Sequence, residues 1–349
     1  MIYYLLPFFS FLLSFSYFKR CSPKQLVSLL VCLLLLVLLA VGTLRGKGIG
    51  SDYFSYFYLF RDKENIEPGF SCLADMIKFC GGNFQVFLGV VFVVSIGLKV
   101  FVFRKMSLYP LLSLMLYLGF WFLTYDMNGI RQGLAFAFTG LAAYFAWRKN
   151  VVKYWIACAC ALLFHYTAVV FLPFVFLLRR KCSVQVMSVI LGGTFLFALQ
   201  GGLTNVLTYF TGTDSYFVNK MFSYGSDEGF NENVLFSFST VHRLVIFGTI
   251  YASVPRMRID DRLKRIFLWG ATMNVALYLL FSDIEIIATR LSLYYRFVEC
   301  LSLAAMPSVF QKTSNRIVVW VLLYAYVFWQ VHSTLSIPDN NLVPYYMCL

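Results

Sequence analysis

Charge is what this sequence has least of: Asp, Glu, Lys and Arg make up 13% of its 349 residues, where a soluble domain carries about 25%. With 60% hydrophobic residues and a mean hydropathy of +0.75, a soluble enzyme or binding module is excluded, and the chain reads as a polytopic membrane protein. Histidine is scarce, with three in all, and no pair of aspartates stands at metal-ligand spacing, so neither a metal nor a cofactor is expected. No CxxC pair occurs among the nine cysteines; Cys32, Cys158 and Cys160 lie inside apolar runs and read as small buried hydrophobes rather than a disulfide framework. Basic leader and small-residue cleavage site are both missing from Met1-Ile2-Tyr3-Tyr4, which predicts a retained first span. The net charge of +13 would suggest nucleic acid in a soluble chain. Here the basic residues sit in short connections between apolar runs, the pattern that orients membrane proteins, and no nucleic-acid partner is expected.

What is there is a succession of 10–12 hydrophobic segments. Residues 1–18 and 26–44 predict two spans, with Lys19, Arg20 and Lys24 between them on the cytoplasmic side. Residues 45–82 then form an external loop with an amphipathic piece near Leu73–Phe79, and 83–103 returns to Arg104 and Lys105. Residues 108–124 lead out, and 133–147 lead back to Arg148, Lys149 and Lys153. Basic clusters at both ends of 154–178 predict a re-entrant hairpin with Phe164-His165-Tyr166-Thr167 at its tip, because two full spans need about 40 residues. Spans over 184–199, 234–253, 266–282, 286–306 and 317–335 follow, with a second external loop over 200–233. The expectation is an all-α integral membrane protein of about ten transmembrane helices plus the hairpin, forming a single domain over 1–349.

This arrangement collects the unusual polar residues in the external half of the membrane. The centre of interest is Tyr125-Asp126-Met127-Asn128-Gly129-Ile130-Arg131-Gln132-Gly133, where a polar turn opens onto an apolar helix. An arginine there is either a snorkelling anchor or part of an anion site with Asn128, Gln132 and the free N–H groups of the helix start. Asp52, Glu67, Asp126, Asp283, Glu285 and Arg290 fall at external span ends or loops, and His165 at the hairpin tip. Arg243 falls within a span and must face a partner or a wet cavity, whereas Arg296 and Glu299, three apart on one helix face, can neutralise each other. Arginines at a helix mouth with carboxylates nearby suit an anionic, lipid-borne substrate.

Several of these residues stand in an ordered set: Ser51-Asp52-Tyr53 with Tyr56, Glu67-Pro68-Gly69-Phe70, Asn128-Gly129-Ile130-Arg131-Gln132-Gly133, Phe164-His165-Tyr166-Thr167-Ala168 before Leu172-Pro173, and Thr289-Arg290-Leu291 with Tyr294. Over roughly residues 50–300 the set resembles the Wzy/EpsG-type polysaccharide polymerases of bacteria, with Ser51 where a threonine is commoner. The resemblance implies a glycosyltransferase of the inner membrane, its active site facing the periplasm, that joins oligosaccharide repeat units carried on undecaprenyl diphosphate into O-antigen or a related polysaccharide. Donor and acceptor lipids are the implied partners, with a chain-length regulator and a flippase as further candidates.

Such a transfer needs cations for the leaving diphosphate and a base for the attacking hydroxyl. Arg131 and Arg290 are the candidates for the first task, with Arg243 third and Gln132 and Asn128 in support. For the second, His165 competes with Asp52, Glu67 and Asp126, and the alternative for His165 is a structural tie between hairpin halves. Metal-independent catalysis is expected. An O-antigen ligase would use the same donor; a membrane O-acyltransferase would not need several external arginines, and a transporter would show inverted repeats, which the chain lacks.

Overall fold

The computed structural model describes residues 1–19, 24–62, 67–208, 233–337 and 340–348, and these are predominantly helical, with no β-strand among them. The chain divides into two compact units, Met1–Val169 with Leu303–Leu349, and Val170–Ser302. Among the described residues, two helices are long and apolar enough to cross a bilayer by themselves: Phe84–Met106, with a mean hydropathy of 2.6, and Thr313–Leu335, with 1.4. Shorter apolar helices include Val151–Phe164 and Val184–Leu199.

The first unit opens with α1 (Ile2–Lys19) and α2 (Lys24–Thr43), where the first two spans are predicted. The expected loop after them is itself built of two short helices, α3 (Tyr53–Asp62) and α4 (Pro68–Phe79). Glu67 is extended, as a residue before proline must be, and Pro68 occupies the first helical turn, where its missing N–H costs nothing. α5 (Phe84–Met106) starts on Asn83, whose side chain accepts from the Val86 amide. The span predicted over 108–124 is not a single α-helix: α6 (Pro110–Tyr117) passes into a π-helical stretch, Leu118–Asp126. Such widened turns are uncommon and redirect side chains at functional sites. α7 (Ile130–Trp147) and α8 (Val151–Phe164) form a tight helical hairpin closed by Asn150, which caps α8 through the Lys153 amide. α8 stops at Phe164, His165 is extended, and a 3-10 turn follows over Tyr166–Phe171, so regular helix breaks where the sequence predicts the hairpin tip.

One aromatic core organises this unit's loop helices. Tyr53, Tyr56 and Phe60 of α3, Phe70 and Ile77 of α4, Phe84 and Phe87 of α5, and Ile130 and Leu134 of α7 are buried together, with Phe138 and Phe164 against them. Full burial of each ring contributes about 1.5–3 kcal/mol, and the Phe138 and Phe164 rings stack at 5.8 Å. Close backbone approach is secured by glycines: a Cβ on Gly69 would lie 2.7 Å from the Leu163 carbonyl oxygen of α8, and one on Gly133 the same distance from that of Tyr125.

The second unit contains α9 (Phe174–Leu177), α10 (Val184–Leu199), α11 (Gly202–Thr208), α12 (Phe238–Ser253), α13 (Asp261–Leu280) and most of α14 (Glu285–Ala305). Ala198, Leu235, Val275 and Leu279 form one of its cores. α13 is capped by Asp260, which accepts from the amides of Arg262 and Leu263. The external loop expected over 200–233 lies largely outside the described residues, apart from α11. α15 (Thr313–Leu335) belongs to the first unit and closes on the π-helical stretch, where a Cβ on Gly119 would meet Val327.

Candidate functional site

The aromatic core of the first unit carries polar residues on three of its elements. Arg131, on the first turn of α7, donates from Nη1 to the carboxylate of Glu67 at the start of α4, and its guanidinium lies 5.7 Å from the Tyr56 ring centroid on α3. Three of the sequence motifs therefore meet at one point. Burial pulls the Arg131 proton affinity down, but Tyr56 and Glu67 together outweigh it and leave the pKa above its ordinary value. The same burial raises the Tyr56 phenol, which stays neutral at physiological pH. Glu67 is buried and Arg131 half-buried, so this pair sits at a partly open mouth.

The remaining candidates of this unit lie around that pair. Asp52 is half-buried and precedes Tyr53 at the start of α3, near enough to Tyr56 to act on its ionisation. His165 follows Phe164 directly, and the Thr167 hydroxyl and His165 Nδ1 are 2.6 Å apart. Gln132 and Asn128 are buried, and no hydrogen-bond partner reaches Asn128 Oδ1.

Asp126 has a different setting. Its Oδ1 accepts from Ser95, at 2.6 Å, and from Lys99; its Oδ2 accepts from Lys99 and from the Tyr117 hydroxyl. Both Lys99 contacts are 2.8 Å, and the lysine has no exposed surface. A carboxylate offers about four lone-pair sites, and all of them are occupied here. Lys99, Ser95 and Tyr117 thus close the hydrogen-bonding set around this carboxylate.

Lys99 and Arg45 are the two charges that reading the sequence missed. Lys99 interrupts an otherwise apolar run, and the rule that flags ionisable residues at membrane depth would have found it. Arg45 stands two residues past the end of α2 and passes for a span boundary, yet it is fully buried and donates from Nη1 to the Met127 carbonyl. The polar turn before α7 is thus gripped on adjacent residues: Asp126 by Lys99, Met127 by Arg45.

Arg243 and Arg290 fall in the second unit. The partner expected for Arg243 is supplied by other helices: its Nη1 donates to Asn274 Oδ1 at 2.9 Å and to Ser292 at 3.2 Å, and its guanidinium lies 3.8 Å from the Tyr278 centroid. Asn274 donates onward to Glu299, which also pairs with Arg296 at 3.1 Å, as their spacing predicts. Arg290 is half-buried on the first half of α14. Among the described residues no group of three or more His, Cys, Asp or Glu is placed to hold a metal ion.

The EpsG family model matches residues 28–347, nearly the whole chain. This chain belongs to the EpsG family. It is 23% identical over 316 residues to the amylovoran biosynthesis protein AmsC of Erwinia amylovora, covering 82% of this chain and 80% of that one. No solved structure matches it. The family is the one the motifs resemble, and every motif that carries the resemblance lies within the matched range.

Proposed function

We propose that this EpsG-family membrane protein is a polysaccharide polymerase that joins undecaprenyl-diphosphate-linked repeat units at the periplasmic face of the inner membrane. The observation that carries the reading is the Arg131–Glu67 pair on Tyr56, which unites three sequence motifs at a half-buried mouth. Membership in the family and similarity to an amylovoran biosynthesis protein support polysaccharide synthesis.

The reaction breaks the bond between the donor's anomeric carbon and its diphosphate oxygen, and forms a glycosidic bond to an acceptor hydroxyl. Its proton passes to a base, and the electron pair of the broken bond leaves with the diphosphate. Arg131 is assigned to that diphosphate, with Glu67 fixing its planar fork. Within the second unit Arg290 is assigned to lipid-borne charge, while Arg243 is held by Asn274, Ser292 and the Tyr278 ring. His165 is assigned as the base, since its unperturbed pKa lies near working pH, and its contact with Thr167 orients the ring. Asp52 remains its competitor. With its lone pairs filled, Asp126 is assigned to hold the turn in place of proton transfer. Because the arginines carry the charge neutralisation, we assign no metal to the step.

A strain lacking this protein tests the reading. Lipid carrying one repeat unit, with no long polysaccharide, is the expected product. Long chains of normal distribution in that strain overturn it, and a complete absence of lipid-linked units transfers the function to an earlier step.

A further inference from the structure

The guanidinium of Arg45 is the least explained charge in the first unit. It has no exposed surface, and no carboxylate among the described residues pairs with it. Nη1 is committed to Met127, while Nε and Nη2 find no hydrogen-bond partner. Those two N–H groups form the side-on edge of the guanidinium, the edge that takes two oxygens of one carboxylate or phosphate. The rings of Tyr53 and Phe92, 5.5 and 6.0 Å away, ease the burial of the charge but accept no hydrogen bond from that edge.

A second group without a partner stands on the same turn. Gly50, held at φ +92°, lies so close that a Cβ would sit 2.5 Å from Asn128 Oδ1 and 3.4 Å from Arg45 Nη1. Asn128 Oδ1 is buried and lacks a donor, and so does the buried hydroxyl of Tyr3, another electrostatic neighbour of Arg45. The site therefore asks for paired acceptor oxygens with a hydroxyl beside them. An acidic saccharide or a phosphoryl group on a sugar has that chemistry; an apolar lipid chain does not.

The roof is the C-terminal segment Asn341–Cys348. It is tied to the Arg45 loop by main-chain bonds from Gly46 to Tyr346, Gly50 to Asn341 and Cys348 to Leu44, each 2.8–2.9 Å. This strap contains no helix. An antiparallel bridge between Met347 and Arg45, the buried Leu342, the Tyr345 ring against Tyr3 and the Tyr345 and Tyr346 hydroxyls on Val41 and Lys47 hold it down, and these are the contacts that must open to admit a ligand.

We propose that Arg45 and Asn128 form a second anion subsite, beneath the C-terminal strap, that receives an oxyanion and its neighbouring hydroxyl from the saccharide substrate. The subsite rests on the polymerase reading for its ligand class and is separate from the diphosphate role of Arg131.

Binding to the full chain in nanodiscs tests it, with inorganic pyrophosphate and glucuronate as charged probes and glucose as the neutral control. Saturable binding of pyrophosphate alone points to a phosphoryl source, of glucuronate alone to an acidic sugar. Arg45→Lys should weaken the binding about tenfold or more, as loss of a charge-assisted hydrogen bond does. Asn128→Asp supplies an internal carboxylate at the same turn; it should raise the unfolding temperature and abolish probe binding, a combination that a purely structural role for Asn128 does not produce. Unchanged binding in folded Arg45→Lys and Asn128→Asp, or no binding of either charged probe to the wild type, overturns the subsite. Binding that is lost in Arg131→Lys but intact in both other variants overturns it while leaving the polymerase reading in place.

Discussion

Arg131 and Glu67 are 64 residues apart in sequence and form one ion pair, with the Tyr56 ring beside the guanidinium. The pair explains why an arginine at a helix start is more than an anchor. A snorkelling side chain reaches for water, whereas this one is held by a buried carboxylate and an aromatic face. Replacing Glu67 by glutamine keeps one acceptor oxygen and removes the charge. Glu67→Gln should therefore lower polymerisation by about tenfold, mainly through KM, because the orientation of Arg131 is loosened while the base is untouched. Glu67→Ala should cost more in the same assay. A loss confined to kcat, at full membrane abundance, would instead make Glu67 the base.

Lys99 and Asp126 predict a stability signature. Removing one member leaves the other charged and buried, which costs about 3–5 kcal/mol. Lys99→Met and Asp126→Asn should each lower the unfolding temperature in detergent sharply. The double variant should recover much of the loss, since neither charge then remains. Additive losses would contradict the closed network.

His165 separates a base from a structural tie. His165→Gln keeps a hydrogen bond to Thr167 but cannot take up a proton near pH 7, so a well-folded protein with turnover down by about 10²–10⁴ is expected. Appreciable activity in His165→Gln, with a dead but stable Asp52→Asn, would move the role to Asp52.

The helices were legible because apolar run length and flanking basic residues report on helices directly; α1, α2 and α5 fall within a few residues of the predicted spans. The starts of α4 at Pro68 and of α8 after Asn150 lie ahead of the expected amphipathic piece near Leu73 and the expected hairpin start at 154, because a proline in the first turn and an asparagine cap act locally rather than through run length. The π-helical stretch could not be read, because Leu118–Leu123 is uniformly apolar and a widened turn leaves no periodic trace. Among site residues, Arg131 was visible as a charge out of place. Glu67 was read as a candidate base, but its pairing with Arg131 was not legible, because a pairing across 64 residues depends on how α4 packs against α8 through Gly69 and Leu163. Arg45 was hidden by its position, where any basic residue reads as the end of a span.

Topology is open to labelling. With the exposed native cysteines Cys32, Cys72 and Cys80 replaced, cysteines introduced one at a time at Asn150 and Lys181 should both resist an impermeant maleimide in intact cells and react after permeabilisation. Native Cys182 should stay silent in either case near pH 7, since burial pushes its thiol up to about 11. Its thiolate, the reactive form, then grows about tenfold per pH unit until pH reaches that value. Labelling at position 181 but not 150 in intact cells would contradict the re-entrant hairpin.

The central claim, that Arg131 holds the diphosphate of a lipid-linked donor, is tested most directly by polymerisation with purified protein and a lipid-linked repeat unit in nanodiscs. Wild type is predicted to build long chains with or without EDTA. Arg131→Lys retains the charge and loses the planar fork; it is predicted to remain folded, with an unfolding temperature close to wild type, and to release almost only unextended units. Chains of wild-type length from Arg131→Lys would contradict the account.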